Sequence, residues 1–198
     1  ADELPKFTGF DRCLYASGGA RVEGAELTAT LIEASGFEKL EGLVTLFSLD
    51  NETYEINAQT FDKVILACGA WLGQTLEPLG FEVDVRPQKG QLRDYFFEGL
   101  DTGKLPVLMP EGELDIIPFA GGKISVGASH ENDKGFDLTV DEAVLEGLEE
   151  EAKIYFPDLS TAKSFSERVG TRAYTSDFSP FFGEVPELKD VFVASGLG

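Results

Sequence analysis

The sequence has few of the residues that build metal centres and disulfide frameworks. Its 198 residues include two cysteines, Cys13 and Cys68, and a single histidine, His130. The cysteines are 55 positions apart and show no C-x-x-C or Cys/His spacing, which argues against a zinc site or a disulfide framework. We therefore expect free thiols in a reducing compartment, and hence a cytoplasmic protein.

Positive charge is also scarce. Lys and Arg number 16 against 36 Asp and Glu, which gives a formal net charge of -20. A field of that sign repels phosphate backbones and anionic membrane surfaces. Nucleic acid is therefore not expected as a partner.

Long hydrophobic runs are missing as well. No apolar stretch approaches the roughly 20 residues of a membrane-spanning helix, and the first residues, ADELPK, lack the basic and then apolar order of an export signal. The sequence does have 42% hydrophobic residues, with 16 Phe among them. That content is enough for a globular chain with a proper hydrophobic core. The short apolar runs predict no membrane span.

Residues 61–91 carry the strongest local pattern. Residues 63–67 form a short apolar run, typical of a strand covered on both faces of a sheet. The run ends at Cys68-Gly69-Ala70-Trp71, and residues 72–79 then show helical spacing. The pattern predicts a strand, a glycine turn and a helix, and cofactors sit at such turns in open α/β sheets. Alternatively, Gly69 serves packing alone and Trp71 belongs to the core.

The rest of the chain predicts short strands and two longer helices. Thr139 and Glu142 have the spacing of a capping box, which opens a helix that Pro157 ends and that covers one face of an antiparallel sheet. Asp50-Asn51 predicts the turn of a hairpin between strands over 44–49 and 53–57. The other predicted elements are a helix over 23–35 and strands over 83–97, 105–109, 114–119, 123–128, 163–169 and 191–194.

Three segments, in order along the chain, resemble the D-amino-acid oxidase and glycine oxidase family of FAD-dependent oxidoreductases. They are VILACGAWLGQTLEPLGFEVDVRPQKGQ, KISVGASHENDKGFD and RVGTRAYTSDFSPFFGEVPELKDVFVASGLG. The resemblance implies an α+β fold, in which an antiparallel-sheet substrate domain with covering helices occupies residues 83–170. A partial Rossmann-like FAD-binding domain would occupy residues 1–82, and residues 171–198 would return to it.

The same resemblance implies a cofactor and the residues on its side. FAD would take a hydride equivalent as the C–N bond of an amino acid or related amine is oxidised. The implied cofactor-side residues are Val44, Gly69, Ala70, Trp71, Gly196 and Gly198. A G-x-G-x-x-G motif is absent from the sequence, and the chain ends at Gly198. We therefore expect a fragment that lacks the N-terminal dinucleotide-binding motif and the C-terminal helix and does not hold FAD by itself.

The implied substrate site needs no catalytic protein base. Arg172 stands where the family keeps the arginine that grips a substrate carboxylate, although an ordinary salt bridge is the alternative in so acidic a chain. Asp115 stands where glycine oxidases carry a tyrosine, and a carboxylate there would attract an amine. Tyr174 and Tyr95 are alternative phenols. His130, in a polar segment, is interpreted as a surface residue.

Two other functions stay open at this point. One is an FAD-dependent dehydrogenase of a hydroxy acid or glycerol phosphate. The other is a non-catalytic ligand-binding domain in which Arg172 is structural and Gly69 only packs.

Overall fold

The computed structural model of the chain describes residues 7–44, 47–48 and 53–197. The strands are β1 (Phe47–Ser48), β2 (Tyr54–Ile56), β3 (Gln59–Phe61), β4 (Val64–Leu66), β5 (Arg86–Phe96), β6 (Asp115–Pro118), β7 (Lys123–Gly127), β8 (Lys163–Tyr174), β9 (Phe181–Glu184) and β10 (Val191–Ser195). The α-helices are α1 (Gly24–Ser35), α2 (Leu72–Leu76) and α3 (Glu142–Tyr155), and short 3-10 turns lie at Gly69–Trp71, Glu77–Leu79, Ala120–Gly122 and Pro157–Thr161. None of the described helices has the length and apolar content that crossing a bilayer requires.

The described strands form three sheets. The largest has the order β6-β7-β5-β8 and is antiparallel throughout. A second sheet pairs β4 with β10 in parallel and adds β9 antiparallel, and a small antiparallel sheet joins β1, β2 and β3. The predicted α+β class, with an antiparallel sheet at its centre, is confirmed.

Helix α3 covers one face of the largest sheet, as predicted. Its residues Leu145 and Ala152 are buried, and Ala152 belongs to a core with Tyr95, Ile124 and Phe156. The predicted capping box is wrong, because the helix begins at Glu142 and its N-cap is Asp141, whose side chain accepts a hydrogen bond from the backbone N–H of Ala143. An Asp directly before the first turn satisfies that orphan N–H where Thr139, two residues farther out, cannot.

A second hydrophobic core lies under the sheet that contains the parallel strands. It includes Tyr54, Val64, Leu72 and Val191. The strand predicted over 63–67 is present as β4. The prediction that both of its faces are buried is wrong for the described residues, because Ile65 is 70% exposed. The boundaries predicted at residues 82/83 and 170/171 stay predictions, and β8 runs through residue 170 without a break.

Several local elements differ from the sequence-based expectation. Residues 105–109 form only an isolated bridge, between Leu108 and Ile116. Strand β3 was not predicted, and it follows β2 through Asn57 and Ala58, which have φ of 49° and 62°. Such left-handed backbone is a hairpin turn geometry that an alanine does not signal. The predicted turn at Asp50-Asn51 lies outside the described residues.

The side chains of β5 alternate between the two faces of the largest sheet. Successive side chains of a strand point to opposite faces. Gln91, Arg93 and Tyr95 therefore share the face that α3 covers: Gln91 accepts from the backbone N–H of Asp141, Arg93 contacts Glu142 and Tyr95 donates to Glu149. Tyr95 thus faces α3 and not Arg172. The opposite face carries Gln88 and Gly90.

Candidate functional site

Arg172 crosses the central strand of the sheet. It lies on β8 opposite Gln88 of β5, and its Nη1 donates a hydrogen bond of 2.8 Å to the backbone oxygen of Ser129. Ser129 lies on the other side of β5, because its backbone N–H donates to the Gln91 carbonyl. The side chain therefore spans β5 from β8 to the segment that follows β7. Its guanidinium lies over the face of the sheet that carries Gln88 and Gly90 and that α3 does not cover, called the open face below.

The direct partners of this guanidinium are neutral. Besides the Ser129 carbonyl, Nη1 lies 3.5 Å from the amide oxygen of Gln88. Within the described part of the chain, Arg172 has no carboxylate within salt-bridge distance, and Nε and Nη2 have no hydrogen-bond partner. Arg168, four residues earlier on β8, instead contacts Asp94 at 2.9 Å. The salt-bridge interpretation of Arg172 is therefore not supported by its contacts, and two donor groups are left for a ligand.

Asp115 lies in the same charged neighbourhood. It begins β6 and pairs with Gly127 of β7, and its charge interacts with those of His130 and Arg172. Burial raises the pKa of the Asp115 carboxyl above its ordinary value, and the nearby Arg172 guanidinium opposes that rise. Burial in turn lowers the pKa of the Arg172 guanidinium, which Glu113 and Asp115 oppose. Among the described residues the Asp115 side chain has no hydrogen-bond partner.

A cavity of about 100 Å³ opens beside Arg172. Its wall also contains Tyr174, Phe178 and Gly196. His130 lines the cavity as well, and its Nδ1 lies 3.2 Å from Oε2 of Glu113. The sequence predicts a surface histidine, and the ring is indeed about one-third exposed, but it lies at the edge of the candidate site.

Phe178 stands out at the rim of this cavity. Its ring packs edge-on against Tyr174, with centroids 5.4 Å apart, and its side chain is 80% exposed. Its backbone has φ of 57°, a left-handed conformation that bulky residues rarely adopt. The turn is held by the backbone N–H of Phe178, which donates to the Thr175 carbonyl. An exposed aromatic held in strained backbone beside a cavity is typical of a functional rim.

The predicted cofactor-side residues fall mostly at one edge of the second sheet. Gly69 follows β4 and Gly196 follows β10, the parallel neighbour of β4. The Ser195 hydroxyl donates to the Gly69 carbonyl at 2.9 Å, which ties the two strand ends together. An added Cβ at Gly69 would meet nothing within 4 Å. The carboxyl ends of parallel strands with open backbone between them are a place where a cofactor fits.

The remaining predicted cofactor-side residues have different surroundings. Ala70 is buried in the core of that sheet. Trp71 is about half exposed and stacks on Phe136, with centroids 4.7 Å apart, so the turn contacts the loop that follows β7. Val44 is exposed. Gly198 lies outside the described residues.

Three site residues were not singled out from the sequence: Gln88, Gly90 and Ser129. The available signal was Gly90 itself, because a glycine inside a strand marks a close approach by another group. The sequence shows the glycine but not the approaching residue, which comes from β8, about 80 positions later in the chain.

The whole chain, residues 1–198, matches the family model for FAD-dependent oxidoreductases of the DAO type. The chain therefore belongs to the DAO family of FAD-dependent oxidoreductases. Over 193 residues it is 34% identical to the uncharacterised oxidoreductase YurR of Bacillus subtilis, covering 93% of this chain and 52% of the relative. It is 30% identical to a glycine oxidase of Pseudomonas aeruginosa, covering 95% and 53%.

Two solved oxidase structures are similar to the chain. The iminodiacetate oxidase of Chelativorans sp. BNC1 superposes with a TM-score of 0.86 at 30% identity, covering 91% of this chain and 51% of that one. The glycine oxidase of Geobacillus kaustophilus superposes with a TM-score of 0.69 at 25% identity, covering 77% and 41%. The chain spans about half the length of the curated relatives it matches.

Proposed function

We propose that the full-length protein oxidises the C–N bond of an amino acid or related amine with FAD as the hydride acceptor. The observation that carries the proposal is Arg172, a half-buried arginine whose direct contacts are neutral oxygens and whose Nε and Nη2 have no partner among the described residues. A planar guanidinium with free donors matches the two oxygens of a carboxylate.

Asp115 completes the site as the group that attracts the substrate nitrogen. Its charge interacts with that of Arg172, so the pair offers one group to each end of a zwitterion. A hydroxy acid or a phosphate ester has no cation for Asp115, which disfavours the dehydrogenase alternative. The similarity to an iminodiacetate oxidase and to glycine oxidases supports a small substrate that carries both a carboxylate and an amine. Tyr174, in the cavity wall, would border the bound molecule.

FAD fits the strand ends described above, where Gly69, Ala70, Trp71 and Gly196 would border it. When bound, it supplies the acceptor for the hydride from the carbon next to nitrogen. The residues of this chain would bind the carboxylate, orient the amine and limit access of water.

Both cysteines are free, which supports the cytoplasm as the proposed location.

The test uses the full-length gene product. We expect a visible flavin spectrum that bleaches when a small amino acid or secondary amine is added without oxygen. Replacing Arg172 by Ala should raise KM about 100-fold, since two charge-assisted hydrogen bonds are lost, while the flavin stays bound. A colourless protein that FAD cannot reconstitute would favour the ligand-binding alternative. A bleaching flavin with an unchanged KM in the variant would remove the carboxylate role from Arg172.

A further inference from the structure

Gly90 lies directly beneath the part of Arg172 that would bind the substrate. A Cβ added at Gly90 would lie 2.4 Å from Nη1, 2.8 Å from Cζ and 2.9 Å from Nη2 of Arg172. Real Cβ atoms do not approach heavy atoms so closely, so the guanidinium occupies the space that any side chain at position 90 would fill. The two residues are diagonal neighbours on one face of the sheet, because Arg172 pairs with Gln88.

A glycine inside a strand weakens it, because glycine loses more conformational freedom on folding and contributes no packing. Gly90 does not have the left-handed φ that would itself require glycine, since it is absent from the positive-φ residues. The steric reason for glycine at this position is therefore the arginine that crosses above it. The nearest atoms are the far end of a flexible side chain and not backbone, so a larger residue would displace the guanidinium and leave the sheet intact.

We propose that Gly90 is a positioning residue for substrate binding: its missing side chain lets Arg172 cross β5 and hold its free N–H groups over the open face. The inference rests on the proposed carboxylate-binding role of Arg172. Ser129 fixes the far end of the same path by accepting from Nη1. Its own position is fixed in turn, because the Gln91 backbone N–H donates to its hydroxyl at 2.9 Å.

The chain offers a matched control at Gly170. It is the partner of Gly90 in the β5–β8 register, it also lacks a positive φ, and an added Cβ there would meet nothing within 4 Å. Gly90→Ala and Gly170→Ala therefore make the same chemical change at paired positions of one sheet. They differ in whether Arg172 occupies the space.

The experiment compares Gly90→Ala, Gly170→Ala, Arg172→Ala and the double variant Gly90→Ala/Arg172→Ala in the full-length flavoprotein. The readouts are kcat and KM for an amino acid that the enzyme oxidises, and the Kd of acetate, a bare carboxylate, from its effect on the flavin spectrum. For Gly90→Ala we expect a rise of about tenfold or more in KM and in the Kd of acetate, with a smaller change in kcat. Gly170→Ala should stay within about twofold of the parent.

The double variant separates positioning from general damage. If Gly90 acts through Arg172, adding Gly90→Ala to Arg172→Ala should change KM and the acetate Kd no further. A crystal structure of Gly90→Ala should show Nη1 of Arg172 moved away from the Ser129 oxygen, with β5 and β8 still paired.

The outcomes distinguish this inference from the proposed function. If Arg172→Ala raises KM but Gly90→Ala does not, the positioning role is wrong and the carboxylate role of Arg172 survives. Equal effects of the two glycine variants, or additive effects in the double variant, would also overturn the positioning role. If Arg172→Ala leaves KM and the acetate Kd unchanged, the carboxylate role fails, and the inference about Gly90 fails with it.

Discussion

Arg93 and Arg172 lie on the same four-stranded sheet, yet Arg93 has carboxylate partners and Arg172 has neutral ones. Arg93, on the face covered by α3, contacts three carboxylates: Glu142, Glu149 and Glu167. Arg172, on the open face, is held by the backbone oxygen of Ser129 and lies near the amide oxygen of Gln88. Both side chains are ordered by their contacts, but those of Arg93 neutralise its charge and those of Arg172 do not.

The difference separates a structural charge from one available to a ligand. An arginine surrounded by carboxylates has little attraction left for an incoming anion, whereas one positioned by neutral oxygens keeps it. Neutral partners also keep the guanidinium oriented before the ligand arrives, which lowers the cost of binding. The open face is therefore the face of the sheet where we expect function, and the covered face is where we expect stability.

The largest effect should come from the core of the covered face. Phe156 is fully buried, and its ring contacts those of Phe7 and Phe97 at centroid distances of 5.4 and 5.5 Å. Phe156→Ala should lower the free energy of unfolding by about 3–5 kcal/mol, because it removes a large apolar side chain and leaves a cavity. Urea denaturation of the full-length protein measures this. The exposed Phe178→Ala is the control and should change it by about 0.5 kcal/mol or less.

The two arginines test the comparison directly. Arg93→Met should cost about 2 kcal/mol of unfolding free energy, because three carboxylates lose their shared cation, and KM should stay near that of the parent. Arg172→Met should change the unfolding free energy by about 1 kcal/mol or less, because its partners are neutral, and KM should rise. Urea denaturation and steady-state kinetics on both variants supply the four values. If both variants changed the same property, the contrast between the two faces would be wrong.

A smaller effect is expected at the beginning of α3. Asp141→Ala should cost about 1 kcal/mol, because the backbone N–H of Ala143 loses its cap. Thr139→Ala should cost about 0.5 kcal/mol or less, since Thr139 precedes the helix and is exposed. Thermal unfolding of the two variants decides the order. A larger loss at Thr139 would restore the capping box that the sequence predicts.

The smallest effect should depend on pH, at Asp115. Because burial raises the pKa of this carboxyl, the folded protein holds the proton more tightly than the unfolded chain. The resulting stability is present below the unfolded pKa and is lost as the pH rises through the folded pKa. Asp115→Asn should therefore raise Tm slightly at pH about 7, with a gain that shrinks toward pH about 4.

Asp137 gives a control of opposite sign for that experiment. Hydrogen bonds from Thr139 lower the pKa of the Asp137 carboxyl, so its ionised form contributes stability that is lost as the pH falls through the folded pKa. Asp137→Asn should lower Tm at neutral pH and have less effect in acid. If the two Asn variants showed the same pH trend, the burial account of Asp115 would be rejected.

Much of the local structure could be read from the sequence because it depends on neighbours along the chain. Apolar runs and glycine turns predicted β4 and the turn at Gly69–Trp71. The helical spacing of leucines and Gly36 predicted α1, which ends at Ser35 with Gly36 at φ 66°. The long strand over 83–97 is present as β5. Three local predictions failed: Thr139 is not the cap of α3, residues 105–109 form only an isolated bridge, and β3 was missed. Thr and Asp can both cap a helix, so the position of the cap depends on where the first turn begins.

The amino-acid sequence by itself determined most of the elements, the family and the candidate residues Arg172 and Asp115, because periodicity, turn chemistry and family motifs are local properties of the chain. Only the tertiary structure decided that Arg172 crosses β5, that Ser129 and Gln88 receive it, and that Gly90 leaves the space. Those residues come from three separate segments whose register is set by sheet pairing. The physical reason is that steric and electrostatic contacts depend on distance in space and not on separation along the chain. Strand pairing brings together residues that are about 80 positions apart in the sequence.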